Sequence, residues 1–175
     1  IGRHFHSNWR SWQKHLPVKR ALPFFLPETA ELPPYTESIA MKQGWVWRIP
    51  VQGRYGCGYV FDSNRISDDQ AHQELVNWFG TDIVSPRTFS FEPGVYEQTW
   101  VRNCLALGLS SGFIEPLEAT SIWITISSLW WFLNELSGLL HDDQQARDRF
   151  NQKNLQMNHN VMEFLYFHYM TQRSD

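Results

Sequence analysis

The stretch Asn103-Cys-Leu-Ala-Leu-Gly-Leu-Ser-Ser-Gly-Phe-Ile-Glu-Pro-Leu-Glu-Ala-Thr-Ser-Ile122 holds the residues best suited to chemistry. Gly108, Ser110, Ser111 and Gly112 are small enough to let a planar ligand lie close to the backbone. A helix is expected to start near Thr120. Its first N–H groups have no intrahelical acceptor, so they form a ready anion site. Glu118 stands beside that terminus and Pro116 stiffens the approach to it. Glu118 has two readings here: a residue that caps the helix or complements its dipole, or a functional carboxylate placed next to an anion. Glu115 likewise reads as a structural acid or a catalytic one.

Further upstream, Trp45 and Trp47 stand two apart in a strand-like run, which puts both rings on one face. They read as core residues or as an aromatic wall between two compartments. Gly53-Arg-Tyr-Gly-Cys-Gly58 is not a dinucleotide fingerprint, because the glycine spacing is wrong and no helix follows. No G-x-G-x-x-G and no G-x-S-x-G occurs. The seven histidines form no pair at metal-ligand spacing beyond the weak His4 and His6. Cys57 and Cys104 read as two reduced thiols.

Elements must hold these groups in place, and the residue pattern suggests which. Five prolines between Pro17 and Pro34 forbid a long helix before residue 35 and leave a short strand near Ala21–Phe25. Thr36–Met41, Trp45–Pro50 and Tyr55–Phe61 read as strands of an antiparallel meander, the last two joined by a turn at Gln52-Gly53-Arg54. Gly56 and Gly58 mark places where backbone or ligand comes close. Ser67 is expected to cap a helix running to Phe79, with Gln70 completing a capping box and Gly80 ending it. Thr88–Glu92 and Glu97–Leu105 are further strand candidates, separated by Pro93-Gly94.

The period then lengthens. Ile122, Ile126, Leu129, Leu133, Leu136 and Leu140 recur on one helical face. A second helix is expected over roughly residues 143–171, with Phe150, Met157, Val161, Phe164, Leu165 and His168 near one face. The short Gly138–Asp143 connection should pack the two helices antiparallel. The class expected is α+β: antiparallel strands with long packed helices. Residues 1–117 are mostly strands and loops, and residues 118–175 mostly helical.

The composition sets limits. The 175 residues carry a net charge of −3 and no basic run beyond Lys19-Arg20, which gives nucleic-acid binding no support. No apolar run reaches membrane-spanning length, and the first residues lack a signal peptide's apolar core. A cytoplasmic protein is expected. Nine tryptophans and 15% aromatics point to an interior dominated by ring packing.

Trp45-Val-Trp-Arg-Ile-Pro50 resembles the W-x-W-x-I-P signature of flavin-dependent halogenases of the tryptophan type, and the run from Asn103 to Glu118 is similar to their second characteristic block. Gly53–Phe61 and Tyr35–Met41 resemble the family's segments around the first signature. The resemblance covers about residues 15–140 and identifies the chain as a central-to-late fragment of such an enzyme, inactive by itself.

The resemblance implies part of an FAD fold related to flavin monooxygenases, in which reduced FAD and O2 oxidise a bound chloride or bromide. Hypohalous acid then travels through a tunnel to a lysine beside an electron-rich, tryptophan- or indole-like substrate. It implies further that Glu118 works beside that lysine, positioning or deprotonating during substitution. The backbone amides of Thr120 and Ser121 hold the halide, Leu109 and Ile122 contact the flavin, and Trp45 and Trp47 keep organic substrate from the flavin. A separate flavin reductase is implied as partner, with a homodimer left open. Where the family has Ser-Thr-Gly after the glutamate, this chain has Ala119-Thr120-Ser121. The alternatives are a related FAD monooxygenase, which would hydroxylate, and a non-catalytic remnant.

Overall fold

The computed structural model describes residues 1–85, 87–136 and 141–170, with the side chain of Glu118 outside the described part. The described residues form two compact units, one within residues 17–91 and one within residues 1–16 and 92–170.

The first unit is an antiparallel sheet with one helix. Its strands are β2 (Arg20–Pro27), β3 (Glu37–Ala40), β4 (Gly44–Val51), β5 (Arg54–Phe61) and β6 (Phe89–Ser90), in the order β3-β4-β5-β2-β6. The first helix and strand, α1 (Gly2–Phe5) and β1 (Trp9–Ser11), belong to the second unit. Alternation decides which face is buried: Leu22, Phe24 and Leu26 from β2 and Tyr55, Cys57, Tyr59 and Phe61 from β5 form one core. Helix α2 (Asp68–Phe79) adds Ala71 and Leu75 to it. Ser67 accepts the Gln70 N–H while the Gln70 side chain accepts the Ser67 N–H, and Gly80 closes the helix in the left-handed region.

Strand β2 is longer than its prolines suggest. Beyond Ala21 it pairs with β5 alone, and the Pro23 carbonyl turns the other way to accept the Ser85 hydroxyl at 2.8 Å. The absent proline N–H therefore leaves no gap in the ladder.

The second unit joins a small sheet to two long helices. Strands β7 (Gly94–Tyr96), β8 (Trp100–Val101), β9 (Cys104–Leu105) and β10 (Gly112–Phe113) are short. They form the sheet β1-β7-β10 and the β8-β9 hairpin, which turns at Arg102 with φ 53°. The expected continuous strand over Glu97–Leu105 is thus a hairpin, and Gly94, expected as a spacer, lies inside β7.

Helices α3 (Thr120–Asn134) and α4 (Gln144–Met170) pack antiparallel. Ser128 meets Asn154, Phe132 meets Phe150, and Glu135 meets Arg149, so one number rises as the other falls. Trp100 fills the space beneath, its ring 4.9 Å from Phe132 and 5.7 Å from Phe150.

Two expectations about faces are corrected. The stripe Ile122, Ile126, Leu129 and Leu133 points outward, and α3 buries Thr120, Ile124 and Ser128 instead. On α4, Phe164 and His168 are exposed, while Asn151, Asn154 and Asn158 are buried beside Phe150, Met157, Val161 and Leu165. The expected connection from Gly138 and the Leu140 position fall largely or wholly outside the described residues. No helix among the described residues is long and apolar enough to cross a membrane.

Candidate functional site

Helix α3 begins at Thr120 because the chain reverses in the preceding residue. Ala119 holds φ 51° and ψ 28°, a left-handed conformation that costs an L-residue roughly 1 kcal/mol. No side chain caps the helix; the Thr120 N–H donates back to the Leu117 carbonyl of the preceding turn, while the Ser121 N–H has neither a side-chain cap nor an intrahelical acceptor. Glu118 is the middle residue of the single 3-10 turn Leu117–Ala119 that leads into the helix. The helix start expected near Thr120 is the one observed.

A second 3-10 turn, Gly108–Ser110, carries Leu109 and packs against α3. Gly108, with φ 58°, supplies its reversal. Gly108, Ser111, Ser121, Thr125 and Asn158 line one narrow crevice. The structure therefore brings the Leu109 turn and the start of α3 together. Leu109 is 80% exposed and Ile122 64% exposed, so both offer apolar surface to a ligand. On the neighbouring side, Thr120, Trp123, Trp131, Lys153, Val161 and Phe164 are among the residues lining an open groove along α3 and α4. The Lys153 ammonium sits over the Trp131 ring, 4.5 Å from its centre.

In the sheet unit, Trp45 and Trp47 share a face of β4 with ring centres 6.1 Å apart. Trp47 lies across Gly58 of β5, its cross-strand partner. A Cβ at residue 58 would stand 2.0 Å from the indole. Gly58 is a close approach, as its sequence context suggested, whereas space around Gly56 is open. Arg48 pairs with Glu37 across β3 and lies 4.9 Å from the Tyr55 ring centre. Burial pushes the Cys57 thiol up to about 11, so it stays protonated and unreactive. Both cysteines are free.

Sequence reasoning left two features unassigned. Asn151 accepts the N–H groups of Thr99 and Trp100 and donates to the Trp100 carbonyl, each at 2.9 Å. Asn154 donates to Thr99 Oγ1 at 3.0 Å and accepts from Ser128 at 2.7 Å. The spacing of Asn151, Asn154 and Asn158 is helical and could have flagged a polar face. The other feature is Glu115. It is 0% exposed, its Oε2 accepts the Tyr169 hydroxyl, and its Oε1 has no hydrogen-bond partner among the described residues. Burial lifts its carboxyl to about 7 against the opposing pull of Tyr169. No sequence signal gives away its enclosure.

Comparisons with known proteins identify the family. A family model described as tryptophan halogenase matches residues 1–175. The chain is 35% identical over 179 residues to tryptophan 7-halogenase KtzQ of Kutzneria sp. (strain 744), covering 97% of this chain and 32% of that protein. It is 35% identical over 166 residues to tryptophan 6-halogenase SttH of Streptomyces toxytricini, covering 91% and 31%. The solved structure of BrvH, a flavin-dependent halogenase from Brevundimonas sp. BAL3, superposes with a TM-score of 0.88 at 34% identity, covering 97% of this chain and 35% of that one. The chain spans about a third of the length of these relatives.

Proposed function

The chain belongs to the tryptophan halogenase family, and from that premise we propose that it supplies the acid and the halide cradle of a site that halogenates an electron-rich aromatic ring, tryptophan or an indole. The observation that carries this reading is the uncapped start of α3, with Glu118 in the turn immediately before it.

In this reading the Thr120 and Ser121 amides hold chloride or bromide, where the helix dipole favours an anion. The replacement of Ser by Ala at 119 and Gly by Ser at 121 leaves those backbone donors in place. The Glu118 carboxylate orients the substrate and takes the proton released as a carbon–halogen bond replaces carbon–hydrogen. Leu109 and Ile122, exposed, apolar and next in sequence to the crevice residues Gly108 and Ser121, suit the edge of a planar flavin. Reduced FAD, when bound, supplies with O2 the two-electron oxidation of the halide, and a separate flavin reductase renews it. Trp45 and Trp47 act as the barrier that keeps organic substrate from the flavin. Residues 1–175 work as one portion of the complete enzyme, in the cytoplasm.

The test uses the full-length protein with a flavin reductase, FAD, O2, bromide and a panel of indoles, read by mass spectrometry beside Glu118→Gln. The expected product carries a bromine isotope doublet that fades in the variant. Addition of oxygen alone would overturn the reading in favour of a monooxygenase.

A further inference from the structure

Glu115 is a buried acid that the reading above does not use. Its surroundings are specific. Ile114 and Leu117 on either side are buried, so the segment enters the turn from inside the unit. Tyr169 sits one residue from the end of the 27-residue helix α4 and is joined to Glu115 across 54 positions. On the other side of the Glu118 turn stands Ala119, a left-handed residue at which no glycine relieves the strain. Strained backbone persists where its surroundings over-determine it. Thr120 is buried and its hydroxyl reaches back to the Leu117 carbonyl at 3.4 Å. The turn is thus held at both ends, and Glu115 to Tyr169 is the side-chain tie at the entry end.

We propose that Glu115 and Tyr169 form a latch that positions the Glu118 turn and the start of α3, with Glu115 acting as a neutral acid. Glu115 is a positioning residue in this scheme; it rests on the halogenase reading for the role of Glu118. A neutral carboxyl leaves Oε1 unpartnered at modest cost, whereas a carboxylate would leave a buried charge with one hydrogen bond. Tyr169 is the one titratable side chain among the described residues that acts on Glu115. Among the described residues ionisation therefore finds no cation to offset it, and it loosens the latch.

The experiment compares full-length wild type with Glu115→Gln, Glu115→Ala and Tyr169→Phe. Turnover is followed from pH 6 to pH 8.5. Glu115→Ala lowers kcat about tenfold through misplacement of the turn, and Glu115→Gln, whose amide oxygen still accepts from Tyr169, restores most of it. The ratio of Glu115→Gln to wild type rises with pH, because the amide cannot ionise. Two readouts need no activity. The infrared C=O band of a protonated carboxyl, present in wild type at pH 6, disappears in Glu115→Gln and shifts in Tyr169→Phe. Amide exchange in residues 117–121 quickens in Glu115→Ala and returns to wild-type rates in Glu115→Gln. Absence of halogenated product overturns the functional reading alone. A flat pH ratio, an unchanged carboxyl band, or unchanged exchange in Glu115→Ala overturns the latch.

Discussion

Tyr169, near the end of α4, donates its hydroxyl to the carboxyl of Glu115, a side chain with no exposure to solvent. The consequence for stability has a definite sign. The carboxyl is lifted from its ordinary 4.5 to about 7 by burial, so between these values the folded state binds the proton and the unfolded state does not. Stability is then full below about pH 4.5, is lost progressively as pH rises, and is level again above about 7. The difference amounts to about 3 kcal/mol. Urea unfolding at pH 5 and pH 8 should show it, and Glu115→Gln should flatten it.

Asn151 does for the backbone of Thr99 and Trp100 what a neighbouring strand would do. Replacing it with Ala strands two buried N–H groups and one carbonyl. We expect a loss of about 3 kcal/mol in chemical denaturation, with no change in the slope against denaturant.

Gly58 and Trp47 are coupled by contact. Gly58→Ala drives a methyl group into the indole and should destabilise by about 2 kcal/mol. In a Trp47→Ala background the same change meets open space, and its cost should drop to well under half. Equal costs in the two backgrounds would mean that the ring is not what excludes a side chain at 58.

Ala119→Gly removes the left-handed penalty and should raise stability by about 1 kcal/mol, measured by thermal or urea unfolding. The same variant should quicken amide exchange in the turn, since glycine also frees it.

The legible parts of this fold are those whose causes lie close together in sequence. Ser67, Gln70 and Gly80 mark α2 to the residue because capping chemistry is local. Trp45–Pro50 and Tyr55–Phe61 alternate, and they are strands. Strands β1, β7 and β10 escaped notice because they are two or three residues long and depend on distant pairing, such as Trp9 with Tyr96. The candidate site divides in the same way. The start of α3 and Glu118 beside it could be located from their residues, but the burial of Glu115 could not. What sets Glu115 apart is an enclosure completed by Tyr169, and no local pattern encodes that.

The hydrogen bond between Ser128 and Asn154 has one more consequence. Two helices that meet through apolar side chains alone can trade one register for another at modest cost. Here a slide of α4 by one turn, about 5.4 Å, would leave the Asn154 amide facing Ile124 or Phe132 and the Thr99 hydroxyl without its donor. The pair is keyed rather than greased: α3 and α4 fit in one alignment, and the turn at the head of α3 inherits a fixed address from it.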